Sequence, residues 1–210
     1  MLAVMATVCS AAHAAAPAPL LAAAAATAVA PLAPAAPAAQ VPALKAGTFD
    51  PPRAAPELAL RGSDGQPLTL ARFRGKLVLM SFGFTNCAAV CPTTLATLAE
   101  ARRALGTAAA DMQVLFITVD PERDDAAIMK RYVTAFDPSF VGGTGSPEAL
   151  AAVRKAYGIT ANKVPMTGGY AVDHTSSIFL IDREGRLRAM MPYGRGAKDF
   201  VHDARLLLSK

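Results

Sequence analysis

Two stretches of this chain leave few architectures open to it. "KLVLMSFGF" at residues 76 to 84 and "MQVLFITV" at residues 112 to 119 are near-continuous apolar runs. Such runs mark strands covered on both faces, and so a sheet with layers packed against either side. After the first, Pro92 suits a first helical position, and Leu95, Leu98, Ala99 and Leu105 repeat at helical spacing. After the second, "DPERDD" stops the strand, and Asp124 or Asp125 can cap a helix whose apolar stripe is Ile128, Met129, Tyr132, Val133 and Phe136. In "SPEALAAVRKAYG", Ser146 is a cap, Pro147 fits the first turn and Gly158 is a stop. "SIFLID" and "LRAMM" flank "REGR" as a hairpin, and a last helix carries Phe200, Val201, Ala204, Leu207 and Leu208. The order predicts an α/β fold: a mixed central sheet with a parallel core and an antiparallel edge hairpin, helices on both faces.

Charge divides the chain. Residues 1–44 contain no Lys, Arg, Asp or Glu, and all 21 basic and 16 acidic residues fall from Lys45 onward. Residues 1–30 read as a signal peptide or N-terminal anchor, 31–56 as a Pro/Ala-rich extended tether, and 57–210 as the folded domain. Pro17 and Pro19 break the leader into apolar runs shorter than the ~20 residues of a spanning helix, and "AHA" at 12–14 offers a small-residue cleavage site. The basic residues expected before the apolar core are missing, which points to a natural start upstream of Met1, and the absence of Arg disfavours a mitochondrial transit peptide. Cys9 is a weak candidate for lipidation. The expectation is an exported, periplasmic protein, with tethering to the inner membrane through this segment as the variant.

Export fixes how the remaining cysteines are read. Cys87 and Cys91 face an oxidising compartment, where an idle pair closes into a disulfide. A pure staple is a poor use of them, because the stabilisation gained falls as the closed loop shortens. They sit at the carboxyl end of a central strand, at the entry to a helix whose N–H groups and dipole favour thiolates. Three residues separate them where a thiol-disulfide oxidoreductase usually has two, so the sulfurs converge on one side of a turn. Two thiolates suit Cu(I) or Zn(II); zinc wants four ligands and no second pair is available, whereas Cu(I) accepts two or three. Of the histidines, His13 lies in the leader and His202 in the last helix, and both read as ordinary residues. His174, just before a predicted strand, reads either as a third donor or as a surface histidine.

"FGFTNCAAVCPTTLATL", "LFITVDPERDD", "RYVTAFDP", "VGGTG", "AYGI" and "VDHTSSIFLID" follow in the order and approximate spacing of the Sco/SenC family of copper-binding proteins, which the chain resembles over residues 57–208. The resemblance implies a thioredoxin-like fold and copper held by a cysteine pair and one distant histidine, here Cys87, Cys91 and His174. It also implies a role in assembling the dinuclear copper centre of cytochrome c oxidase subunit II. The ion expected is Cu(I), with Cu(II) left open; the other partners expected are a periplasmic copper donor and a thiol reductant, and the chain is expected to be a monomer. One departure stands out. Members typically read Cys-Pro-Asp-Val-Cys-Pro, but here Ala88 and Ala89 occupy the middle. Alanine does not fix φ, and loss of the aspartate's charge lowers the pKa of the first thiol. The segment from Tyr157 to Asp173 is also short beside many relatives.

Other features have plainer readings. Asp120, Glu122, Asp124 and Asp125 are explained by strand termination and capping rather than a hard-metal site. Met166 is read as loop filling before it is read as a soft ligand. Met190 and Met191 alternate faces of a strand, so at most one faces the core. "VGGTG" lacks the Gly-Lys-Ser/Thr ending of a phosphate loop. The net charge of +5 comes from scattered residues; it favours acidic partner surfaces or anionic headgroups and makes no case for nucleic acid. Two rivals to a copper carrier remain: a thiol-disulfide reductase using Cys87 and Cys91 as its catalytic redox pair, and a peroxide-removing enzyme with Cys87 attacking and Cys91 resolving.

Overall fold

The computed structural model describes residues 43–209. The leader, its cleavage motif, Cys9, His13 and the first part of the tether lie outside the described residues. In chain order the elements are β1 (Gly47–Ala54), β2 (Leu60–Gly62), β3 (Pro67–Leu68), β4 (Leu77–Gly83), α1 (Val90–Ala104), β5 (Met112–Thr118), α2 (Ala126–Thr134) and β6 (Val141–Thr144). There follow α3 (Pro147–Tyr157), β7 (Ala161–Met166), β8 (Gly169–His174), β9 (Ile178–Ile181), β10 (Arg186–Met191) and α4 (Ala197–Leu208). Among the described residues the strands form an eight-stranded sheet, ordered β1-β10-β9-β4-β5-β6-β2-β3, and a separate two-stranded sheet of β7 and β8. The core is the parallel set β4, β5, β6, and β9 joins β4 antiparallel from the other side.

The two apolar runs are the central strands β4 and β5, buried along their whole lengths. They carry layers on both faces. On one, Phe82 meets Tyr157 of α3 and Phe179 of β9. On the other, Phe116 stacks against Tyr132 of α2, and Gly83 backs onto both Phe116 and Cys91 of α1. Capping follows the chemistry of the residues. Asp125 accepts the N–H of Ile128, Ser146 accepts that of Ala149, and Gly158 ends α3 at φ 68°, a left-handed conformation that glycine adopts without penalty. Met191 is buried and Met190 exposed, as strand alternation requires.

Three expectations need correction. Residues 47–54, placed in the tether, form edge strand β1 against β10; Asp203 on α4 is buried and accepts the N–H groups of Lys45 and Ala46, so the folded unit starts well before residue 57. Two prolines make this segment look like a linker, yet an edge strand tolerates residues that cannot donate on its outer side. Helix α1 starts at Val90 rather than Pro92, which puts Cys91 inside its first turn. "KVPMTGGY" lies largely in the β7–β8 hairpin instead of a loop, and "VGGT", to which the sequence pattern assigns no element, is strand β6.

Candidate metal centre

Cys87 lies in the turn that follows β4, and Cys91 is the second residue of α1. The N-cap position, Ala89, has no side-chain acceptor, and Pro92 in the first turn has no N–H to offer. The N–H of Cys91 points instead at the Cys87 sulfur, 3.4 Å away. Sulfur does the work that a serine or aspartate does at most helix starts. Burial opposes ionisation of Cys87, but the N–H groups of Cys91, Ala89 and Val90 and the Cys91 thiol outweigh it, so its pKa falls below the ordinary thiol value. Cys91 is only 2% exposed. Burial, together with the neighbouring Cys87 and the Asp124 charge, pushes its thiol well up, and it is protonated at neutral pH. Both cysteines are free thiols.

His174 ends β8. Its Nδ1 lies 2.9 Å from the Thr175 carbonyl, to which it donates, leaving Nε2 as the lone-pair nitrogen 3.8 Å from the Cys91 sulfur. Phe84 presents its ring edge-on to the imidazole, with centroids 5.9 Å apart. Cys87, Ala88, Ala89, Phe84, Tyr170 and His174 line an open groove of ≈ 400 Å³. The structure brings Cys91 and His174 together directly, and Cys87 to Cys91 through the helix turn. Among the described residues no three Cys, His, Asp or Glu side chains already stand at ligand spacing. His202 pairs with buried Asp203 in a different groove, between α1 and α4. Met166 is 62% exposed at the hairpin tip and lines the same groove as Cys87 and His174 rather than filling a loop.

The acidic stretch does more than end a strand. Asp124 is fully buried and its carboxylate accepts from the Thr85 N–H at 3.0 Å, the Thr85 hydroxyl at 2.5 Å and the Thr118 hydroxyl at 2.6 Å. It ties the end of β5 to the turn that carries Cys87. Asp120, also buried, pairs with Arg123 and accepts the Tyr170 hydroxyl at 2.8 Å. These contacts were not readable beforehand; the one available signal was the density of carboxylates directly after a buried strand.

A thioredoxin-like sheet with a thiol pair at the start of a helix and a histidine facing it defines a class of thiol-based redox and soft-metal proteins. A model of the SCO1/SenC family matches residues 48–209, and the chain belongs to that family. It is 40% identical over 154 residues to the mouse mitochondrial SCO2 homologue, covering 71% of this chain and 60% of that one; it thus spans less than two thirds of that relative's length. Among solved structures it is similar to copper-bound ScoI of Bradyrhizobium japonicum, at 38% identity and TM-score 0.69, covering 74% of this chain and 99% of that one. It is equally similar to apo Sco1 of Thermus thermophilus, at 38% identity and TM-score 0.69, covering 78% and 95%.

Proposed function

We propose that this chain is a copper chaperone that binds Cu(I) through Cys87, Cys91 and His174 and delivers it to the dinuclear copper site of cytochrome c oxidase subunit II. The observation that carries the reading is the Cys91 sulfur facing a lone-pair imidazole nitrogen across 3.8 Å, with the second sulfur one helical turn away. The donor set fits the ion: two soft sulfurs and an imidazole suit Cu(I) in a two- or three-coordinate site. The copper-bound ScoI relative supports the same choice.

The residues divide the work unequally. Cys87, half-exposed and the more acidic thiol, is the one the incoming ion meets first. Cys91 must shed its proton on binding, so affinity rises with pH and each ion bound releases protons. The open groove leaves room for a partner's thiolate or imidazole to replace the ligands one at a time. Oxidation of the pair to a disulfide abolishes binding, so a reductant is required. Export to the periplasm, with the N-terminal segment as a tether, is part of the proposal, as is a copper donor acting upstream.

A second reading has its own support: a half-exposed, acidified Cys87 beside a buried, protonated Cys91 is also the arrangement of an attacking and a resolving thiol in a disulfide reductase. Anaerobic Cu(I) titration of the reduced protein against a competing chelator separates the two. The chaperone reading expects one tightly bound ion, lost with Cys87→Ser or Cys91→Ser and weakened with His174→Ala. Weak binding that is indifferent to His174→Ala, together with reduction of a test disulfide, would establish the reductase instead.

A further inference from the structure

The β7–β8 hairpin that carries His174 is not hydrogen-bonded into the main sheet. Its orientation is therefore set by the strand ends at its base and by side chains. At the base, the Thr175 N–H donates to the Thr160 carbonyl and the Thr160 N–H donates to the Thr175 hydroxyl. Along β8, Tyr170, Val172 and His174 share one face, because strand side chains alternate. Val172 enters the core. Tyr170, four residues before His174, is held by the loop between β5 and α2.

Arg123 makes several of these contacts. Its guanidinium lies 3.9 Å from the Tyr170 ring centroid, its Nη1 donates to the Tyr170 carbonyl at 3.0 Å, and its Nε pairs with buried Asp120, which in turn accepts the Tyr170 hydroxyl. The same guanidinium stands 5.8 Å from the Phe84 ring, the ring that meets His174 edge-on. One side chain thus touches both walls of the groove. Its Nη2 is buried with no hydrogen-bond partner, a penalty that a surface arginine avoids by turning to water. Lys163 also stands 4.5 Å from the Tyr170 ring centroid and Glu122 accepts the Tyr170 hydroxyl at 3.3 Å, but this ion pair is solvent-exposed and such pairs contribute little.

We infer that Arg123 is a positioning residue for copper binding: by clamping Tyr170 against the β5–α2 loop, it holds the hairpin so that His174 Nε2 faces the Cys91 sulfur. The inference rests on the reading of His174 as a copper donor. Arg123→Leu removes the stack and both hydrogen bonds, while Arg123→Lys keeps only the charge. Loss of an outer partner of a metal ligand typically weakens binding by about 10- to 100-fold, so Arg123→Leu is expected to lower Cu(I) affinity about tenfold, with Arg123→Lys failing to restore it. In the His174→Ala background the same substitution is expected to change nothing further, because it acts through that imidazole. In copper-free protein, amide exchange of β8 is expected to quicken while β4 and β5 stay protected.

Equal weakening in both backgrounds overturns the inference, since it marks a general structural effect. So does unchanged β8 exchange while His174→Ala still weakens copper, which refutes Arg123 and leaves the ligand reading intact. If His174→Ala itself has no effect on affinity, the ligand reading falls, and the copper role of Arg123 falls with it. Should Arg123→Leu not fold, Tyr170→Leu removes the other half of the stack and carries the same comparison in the two backgrounds.

Discussion

Replacing Asp124 tests whether one buried carboxylate organises the cysteine turn. Asp124→Ala strands three donors: the Thr118 hydroxyl, the Thr85 hydroxyl and the Thr85 N–H. Thr118 is fully buried and has no route to water, so leaving it unpaired costs about 2 kcal/mol. Thr85 is half-exposed, and water can take over part of its bonding; its two donors together cost roughly 1–2 kcal/mol. The sum, about 3–4 kcal/mol, corresponds to a fall in Tm of about 10 °C for a domain of this size. Asp124→Asn keeps the volume and one acceptor oxygen but turns an NH2 toward the donors, so it costs less, about 2 kcal/mol. Urea denaturation of the reduced protein reads both, as a lower midpoint at unchanged slope. A loss under about 1 kcal/mol for Asp124→Ala, less than one unsatisfied buried donor, would refute the reasoning.

Other expectations follow from the same contacts. Gly83→Ala sets a Cβ 2.6 Å from the Phe116 ring and 2.8 Å from the Cys91 sulfur, and overpacking of this kind costs about 1–3 kcal/mol; thermal melts and the Cu(I) titration together check it. Iodoacetamide should alkylate Cys87 well before Cys91, with a pH midpoint below 9.0, and Ala89→Asp should move that midpoint up by adding a negative charge and a rival acceptor for the Cys91 N–H. Burial raises Tyr157 above its ordinary 10.0, so the folded state keeps a proton that the unfolded chain releases; this contribution is intact below pH 10 and is lost as pH rises further. Tyr157→Phe should flatten that alkaline decline while costing about 1 kcal/mol at neutral pH for the lost bond to the Pro56 carbonyl, both measurable by denaturation across pH.

The central sheet was legible because strands buried on both faces have to be apolar throughout, and β4 and β5 show that without ambiguity. Helices α2 and α3 were legible because Asp125 and Ser146 announce their starts. Strand β6 was not, since "VGGT" carries two glycines and the weak propensity that goes with them; its glycines are instead demanded by Met129, Leu68 and Ile117 packing where their side chains would be. The β7–β8 hairpin was hidden for a related reason: it is mostly exposed, so it shows no core-facing alternation. Cys87, Cys91 and His174 could be named from residue chemistry and family resemblance. Asp124, Arg123 and Tyr170 could not, because their roles depend on contacts across 39 to 50 residues that no local pattern encodes.

The 83 positions from Cys91 to His174 also set an order in time. A chain made at about 5–20 residues per second presents its thiol pair roughly 4–17 s before the imidazole exists. In that interval β9, the neighbour of β4 on one side, is missing as well. The two thiols are then adjacent on an unfinished sheet, and an oxidant of the exporting compartment that accepts their two electrons joins them as a disulfide. A reductant that serves this protein in that compartment therefore has to act on the chain while it folds after export as well as on the finished one.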